Sequence, residues 1–376
     1  MNILGIETSC DDTSASIVKD GKYIVTNVIS SQIQVHKKYG GIVPELASRH
    51  HLENINLIID ESLKKTKKID AISVTTGPGL IGSLLIGTTT AQAISQILKI
   101  PIVGVNHIEG HIFANFLNSN INNSEIKLPL IALIVSGGHT DLILVKNFGK
   151  YNILGRTRDD AVGEVLDKIA KFLNLGYPGG PIIDKLSKYG NPKKINFPKP
   201  YLDGSWDFSF SGLKTSIINY VNRYKINSNH ELSDLLASFQ QSCIDVLVKK
   251  TILACRKFKI KRIALGGGVS ANTKLRSDFL EICKLEKIEL FIPNTILCTD
   301  NAAMIASAGY FKLKHYGLTP VESTTSLRCV NPPKRRKSYS SYGLTPIEFR
   351  EGGLKKEVYK EKIIPSANLE LKNWRN

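Results

Sequence analysis

The sequence predicts an α/β protein of two lobes, each built on the same unit. Three observations predict it. A short apolar strand, a small polar turn and a strand hairpin open the chain, and the same series returns after residue 128. Both times the hairpin is followed by alternating helical and strand patterns, the mark of sheets with parallel strands. Glycine-rich turns close strands in both halves. Recurrence of one unit implies duplication, and the cleft expected between two such lobes is the usual place for a ligand.

In the first unit, Asn2–Thr8 is an apolar run ending in the polar turn Ser9-Cys10-Asp11-Asp12-Thr13, and Ser14–Val18 with Tyr23–Ile29 make the hairpin. Leu46, Leu52, Ile55, Ile58, Ile59 and Leu63 recur near a 3.6 period and predict a helix over Pro44–Lys65. Asp70–Thr76 reads as a buried strand closed by Gly77-Pro78-Gly79. Leu80–Leu98 follows as a helix, Ile102–Val105 as a strand and His107–Leu117 as a helix.

In the second unit, Leu130–Val135 runs into Ser136-Gly137-Gly138-His139-Thr140, with strands at Asp141–Lys146 and Tyr151–Arg156 and a helix at Ala161–Leu173. Lys261–Leu265 is a strand ending in Gly266-Gly267-Gly268. Asn272–Leu285 is a helix, Glu289–Ile292 a strand and Asp300–His315 a helix. A segment rich in Gly, Pro, Lys and aromatics, about 176–230, interrupts this unit. The expected division is therefore 1–128, 129–330 with that insertion, and a basic tail over 331–376.

Composition narrows the classes. With 42% hydrophobic and 22% charged residues, the chain is neither disordered nor fibrous. The formal net charge is +17, which points to a polyanionic partner, nucleic acid first. After Val330 stand 11 basic against 5 acidic residues, so the tail carries +6 and the body +11. The six scattered cysteines form no CxxC pair, as expected of a reduced, cytoplasmic protein. No basic leader opens the sequence, and no apolar run approaches the ~20 residues that span a bilayer.

The sharpest chemical signal is His107-Ile-Glu-Gly-His111. Positions i and i+4 share one helix face, so both imidazoles can grip one metal ion. A zincin protease would need Glu where this chain has Ile108, and Glu109 points elsewhere round the helix. The alternative is two histidines at this spacing by chance, and a third ligand weighs against it. Asp300, opening the last helix, can serve as that ligand or as a cap; two His and one carboxylate make an open site suited to ferrous iron or catalytic zinc.

The glycine-rich turns at 77–79, 136–138, 179–180 and 266–268 are the second signal. Glycine usually just makes a turn, but backbone N–H groups without side chains can approach a phosphate closely. None of the four is a P-loop or a dinucleotide fingerprint. Beside them lie Asp11, Asp167, Lys168, Asp184 and Asn272, each at a strand–helix junction where capping is the plain alternative. Their shared placement argues for a nucleotide.

At these residues the chain resembles the bacterial TsaD (Gcp) family of tRNA threonylcarbamoyladenosine transferases. The stretches that carry the resemblance are Gly5–Thr13, Gly40–Arg49, Thr76–Ser83, Asn106–His111, Val135–Thr140, Asp159-Asp160 to Lys168, Gly176–Pro181, Phe208–Lys214, Gly266–Asn272 and Cys298–Ala303. They run in order across about 1–330.

The resemblance implies a duplicated actin/Hsp70/sugar-kinase-like (RNase H-like) fold. It implies transfer of a threonylcarbamoyl group from threonylcarbamoyl-AMP to N6 of adenosine 37, in tRNAs reading ANN codons, with release of AMP. It assigns His107, His111 and Asp300 to one divalent metal, Fe2+ first, with Zn2+ or Mg2+ as alternatives. It assigns Ile134, Val135, Ser136, Gly137, Gly138, Asp167, Gly180, Asp184 and Asn272 to the adenylate. Asp11 is the candidate for orienting or deprotonating the attacking amine. The implied partners are tRNA, a TsaB-like homologue and a TsaE-like ATPase, with no membrane involved.

Family members end near the position of Val330, whereas this chain continues for 46 residues. There Tyr316-Gly-Leu-Thr-Pro320 recurs as Tyr342-Gly-Leu-Thr-Pro346, flanking Lys334–Lys337. A disordered basic extension is the expectation, an added tRNA-binding arm the alternative. Rival readings of the whole are a metalloprotease, an actin-like ATPase or sugar kinase, and a basic tRNA-binding scaffold without catalysis.

Overall fold

Residues 3–7 are all buried, and this apolar run forms the central strand β1 (Asn2–Glu7) of the first sheet in the computed structural model. The structure describes residues 1–66, 68–117, 126–202, 204–317, 344–351, 354–361 and 363–374. After β1 come β2 (Asp12–Lys19), β3 (Tyr23–Ser31), the single-turn α1 (Ile33–His36) and α2 (Pro44–Leu63). Then β4 (Ala71–Gly77), α3 (Ile81–Leu98), β5 (Ile102–Asn106) and α4 (His107–Phe113) complete the first series.

The second series is β6 (Leu130–Val135), β7 (Thr140–Asn147), β8 (Lys150–Arg156), α5 (Val162–Phe172), α6 (Gly179–Ser187), α7 (Ser211–Arg223) and α8 (Asn229–Phe258). It continues with β9 (Arg262–Gly266), α9 (Thr273–Glu286), β10 (Glu289–Phe291), α10 (Thr295–Cys298) and α11 (Ala302–His315). A hairpin of β11 (Leu344–Glu351) and β12 (Leu354–Glu361) follows.

The two five-stranded sheets share one plan. The first runs β3-β2-β1-β4-β5 and the second β8-β7-β6-β9-β10, each with its opening strand in the centre. In each, that strand pairs antiparallel with the hairpin on one side (Ile3 opposite Val18, Ile131 opposite Leu144) and parallel with the later strand on the other (Ile3 beside Ala71, Ile131 beside Ile263). This is the duplicated α/β plan expected of the actin-like class. The inner strands are buried on both faces: all seven residues of β4 and all six of β6 are buried.

The chain divides into two compact units, one of Met1–Ser30, Ser48–Gly110 and Asn301–Asn376, the other of Ser31–Ala47 and His111–Asp300. The boundaries expected at 128 and 330 are thus displaced. The reason lies in α11, read from the sequence as part of the second lobe. Its small residues let it seat on the first sheet: a Cβ on Gly5 of β1 would stand 2.2 Å from the Ala302 carbonyl oxygen and 2.9 Å from the Ala306 nitrogen. Close backbone approach of this kind is possible only without a side chain.

The segment expected as an irregular insertion holds α6 and α7, and its aromatics Phe197, Phe208 and Phe210 are buried in the core of the second unit. The 30-residue α8 has no counterpart in the sequence reading. It is buried round much of its circumference, so no single apolar stripe betrays it. Its start carried a readable signal, Ser228-Asn-His-Glu231, a capping box. Ser228 Oγ accepts the Glu231 N–H at 3.2 Å, and Glu231 Oε2 accepts the Asn227 N–H at 2.7 Å.

The expected disordered tail does not hold at its end. Residues 363–374 lie on the first unit, with Ile363 and Leu371 buried. Two buried apolar side chains eight residues apart are too few to make a readable pattern. The basic run Lys334–Lys337 lies outside the described residues. Among the described residues, no helix is long and apolar enough to cross a membrane.

Candidate functional site

Asn106 ends β5 and begins the helix that carries both histidines. Its Oδ1 accepts the N–H groups of Ile108 at 2.9 Å and Glu109 at 3.3 Å, supplying acceptors that the first turn of any helix lacks. His107 and His111 follow one turn apart, and both are buried. Asp300 Oδ1 stands 3.3 Å from His111 Nε2. One donor atom from each of His107, His111 and Asp300 lies within 4.8 Å of the others. Donors held ~2.1 Å from one ion stand about 3–4 Å apart, so a closure of about 1–2 Å would bring this set onto a divalent cation.

The second nitrogen of His107 is also accounted for. Nδ1 lies 3.0 Å from Glu7 Oε2 and 3.1 Å from Ser9 Oγ. Glu7 is fully buried at the end of β1, where its Oε1 accepts the Ser9 N–H at 2.6 Å and its Oε2 accepts the Thr75 hydroxyl at 2.7 Å. A carboxylate on the outer nitrogen fixes the ring and turns Nε2 toward a metal. Glu7 is therefore a candidate site residue that the sequence reading missed. The available signal was an acidic residue closing an otherwise apolar strand.

Asp11 sits half-buried in the turn between β1 and β2. That turn is pinned from α2: His51 is buried, with Nδ1 2.8 Å from Thr13 Oγ1 and Nε2 3.0 Å from the Cys10 carbonyl oxygen.

The expected adenylate residues all lie in the second unit and form one connected set. Ile134 and Val135 end β6 in full burial, while Ser136, Gly137 and Gly138 emerge from it. Ser136 Oγ accepts the His139 N–H at 3.1 Å, and the Ser136 carbonyl accepts the Gly163 N–H at 3.2 Å. The turn thereby meets the start of α5. Gly267 crosses the same strand end at φ +85°, where a Cβ would stand 2.3 Å from the Val135 carbonyl oxygen.

Two of the carboxylates hold helix starts. Asp167 Oδ1 accepts the Gly179 N–H at 2.7 Å; burial raises its pKa, and the N–H groups of Gly179 and Gly180 pull it back. Asp184 takes the Thr273 hydroxyl at 2.9 Å and the Thr273 N–H at 3.1 Å. Asn272 caps α9 through the Leu275 N–H at 2.9 Å, as expected, and donates to Gln240 Oε1 at 2.8 Å. Lys168 bridges Asp160 at 2.6 Å and Glu164 at 2.9 Å. Burial raises the Asp160 pKa, but Lys168 and Lys214 outweigh it and hold the group below its ordinary value.

A buried two-histidine, one-carboxylate set beside glycine turns in a duplicated α/β fold is the arrangement against which similarity can be judged. The sequence profile of the TsaD family, tRNA N6-adenosine threonylcarbamoyltransferase, matches residues 23–307. The chain belongs to the TsaD family. A tRNA N6-adenosine threonylcarbamoyltransferase of Endomicrobium trichonymphae is 50% identical over 326 residues, covering 85% of this chain and 94% of that one. The enzymes of the same name from Caldicellulosiruptor saccharolyticus (51% identity; 83% and 93% covered) and Clostridioides difficile (52%; 82% and 92%) are similarly close.

At the level of fold alone, this TsaD-family chain resembles T. kodakarensis HypF, with a TM-score of 0.58 and 15% identity over 84% of this chain and 48% of that one. It also resembles component A of the Acidaminococcus fermentans (R)-2-hydroxyglutaryl-CoA dehydratase, with a TM-score of 0.51 and 16% identity over 84% and 99%. The activity of this TsaD-family protein is threonylcarbamoyl transfer to N6 of adenosine 37 in tRNA.

Proposed function

We propose that the transfer runs from threonylcarbamoyl-AMP bound on the glycine turns, with His107, His111 and Asp300 holding one ferrous ion. The observation that carries this reading is the mutual approach of those three donors within 4.8 Å, with His107 backed by Glu7. Two imidazoles and one carboxylate are the donor set of open ferrous sites, with zinc or magnesium as alternatives. When bound, such an ion supplies Lewis-acid stabilisation of charge developing on a carbonyl oxygen.

The remaining work falls to the chain. The N6 amine of adenosine 37 attacks the carbamoyl carbon, the bond from that carbon to the AMP phosphate oxygen breaks, and AMP leaves with its electron pair. Asp11 orients the amine and accepts its proton. Gly137 offers its backbone N–H to the phosphate, Ser136, Gly138 and Gly180 let it approach the chain closely, Ile134 and Val135 back the nucleotide, and Asp167, Asp184 and Asn272 set the turns that face it. AMP is a good leaving group, so positioning supplies much of the rate. The +11 charge of residues 1–330 supports contacts to the tRNA backbone that weaken steeply with salt. A TsaB-like homologue and a TsaE-like ATPase are the proposed partners, and the cytoplasm the proposed location.

The test is incubation of the protein with threonylcarbamoyl-AMP, unmodified tRNA and the two partners, followed by mass spectrometry of the digested tRNA. Modified adenosine is expected from the wild type and none from His111→Ala. Modification by His111→Ala at the wild-type rate would remove the metal from the mechanism, and Asp11→Asn with near-normal transfer would remove Asp11.

A further inference from the structure

We propose that the C-terminal segment, residues 363–374, is a strap that positions the metal-binding turn. The inference rests on the reading of His107 as a metal ligand. It starts from α4, which has only seven residues. A helix so short does not hold itself in water, since nucleation is costly and isolated helices below ~12 residues are marginal. Its first turn must be held by its surroundings.

The strap fastens that turn on both sides of His107. Asn106, the cap residue, donates from Nδ2 to the Leu369 carbonyl oxygen at 3.1 Å. Glu109 accepts the Trp374 indole N–H at 2.6 Å on Oε1. Both residues are buried, at 9% and 3% exposure, while their strap partners Leu369 and Trp374 are half-buried. The cap that organises the first turn and the third residue of that turn are thus tied to one short stretch of chain.

The strap has its own footing. The Gln92 amide donates to the Ile363 carbonyl at 3.0 Å, the Ser366 N–H to the Thr76 carbonyl at 2.8 Å, and the Gly79 N–H to the Ala367 carbonyl at 3.0 Å. Ile363 joins the core of the first unit, and the Trp374 ring packs 5.2 Å from His315 of α11. Gly77 admits the strap, because a Cβ there would stand 1.9 Å from the Ser366 carbonyl oxygen. The turn Gly77-Pro78-Gly79 therefore holds this segment of the protein.

The experiment uses the full-length chain loaded with Co2+ as a spectroscopic probe metal. Trp374→Phe keeps an aromatic ring, though a smaller one, and removes the N–H; Lys372→Ala, on an exposed strap residue, is the control. Trp374→Phe is expected to weaken Co2+ binding by up to about tenfold, the lower end of the loss when a ligand's direct partner is removed, because Trp374 acts through Glu109 and not on a ligand. It should also alter the Co2+ absorption bands and speed amide exchange in residues 107–113, with the melting temperature little changed. A chain ending at residue 362 should show a larger loss. If Trp374→Phe matches the wild type in Co2+ affinity, spectrum and exchange, the strap proposal is overturned, whether or not the truncated chain folds. A wild type that binds no Co2+ overturns the metal reading and this one together; wild-type binding left unaltered by Trp374→Phe overturns this one alone.

Discussion

Glu7 Oε2, at the end of β1, lies 3.0 Å from Nδ1 of His107, which follows β5 on the far side of β4 in the same sheet. The contact fixes which nitrogen of His107 faces outward. A neutral Gln at position 7 retains the shape and loses the charge that raises the basicity of the ring. Glu7→Gln is therefore expected to lower metal affinity about 10- to 100-fold, read by competition with a chromophoric chelator. Transfer activity should recover at high metal concentration, which separates a loss of affinity from a loss of fold.

Asn272 does two jobs that kinetics can separate. It caps α9 and bonds Gln240, so Asn272→Ala should cost about 1–2 kcal/mol of stability, measured by urea denaturation. If it also sets the turn facing the adenylate, KM for threonylcarbamoyl-AMP rises while kcat changes less. A variant that loses stability with KM unchanged would confine Asn272 to capping.

Gly267 stands at φ +85° against the Val135 carbonyl. Gly267→Ala meets both the backbone preference and that oxygen, and should destabilise the second unit by about 2–4 kcal/mol. Thermal unfolding reads this directly. Gly268 has no atom within 4 Å of where its Cβ would stand, so Gly268→Ala should leave the melting temperature near that of the wild type while weakening adenylate binding.

Asp141, opposite Ile134 on β7, carries a pH dependence of its own. Burial pushes its carboxyl up to about 6, with Arg156 pulling the other way. A carboxyl whose folded pKa exceeds its unfolded value favours the folded state when protonated. That contribution is complete below pH ~4, fades as pH rises toward ~6 and is absent above, about 3 kcal/mol in all. Asp141→Asn should therefore gain on the wild type steadily from pH 4 to 6 and hold a constant difference above it. Urea unfolding at pH 4.5 and 7.5 tests the sign.

Much of this was legible in the sequence because it is written in local pattern. The strand–turn–hairpin series announced both sheets, and the i, i+4 spacing announced that His107 and His111 share a face. Asp300 was found through its motif, since nothing local says that a residue nearly two hundred positions later returns to His111. Glu7 was hidden because a buried acid at a strand end looks like the first polar residue of a turn. Asp167 and Asp184 were expected at strand–helix junctions, but they lie within α5 and α6, from where they grip the starts of the next helices at Gly179 and Thr273. The strap escaped for a related reason: apart from Trp374 it bonds through its own backbone atoms, which leave no mark on side-chain composition.

The seating of α11 on β1 has a consequence for how the protein is made. The strands of the first sheet leave the ribosome within the first 106 residues, but the helix that covers them begins at Ala302. At ~5–20 residues per second, an apolar sheet face waits on the order of ten to forty seconds for its cover. Nascent chains of this protein should therefore aggregate more when translation is slowed beyond residue 110 than when it is slowed before.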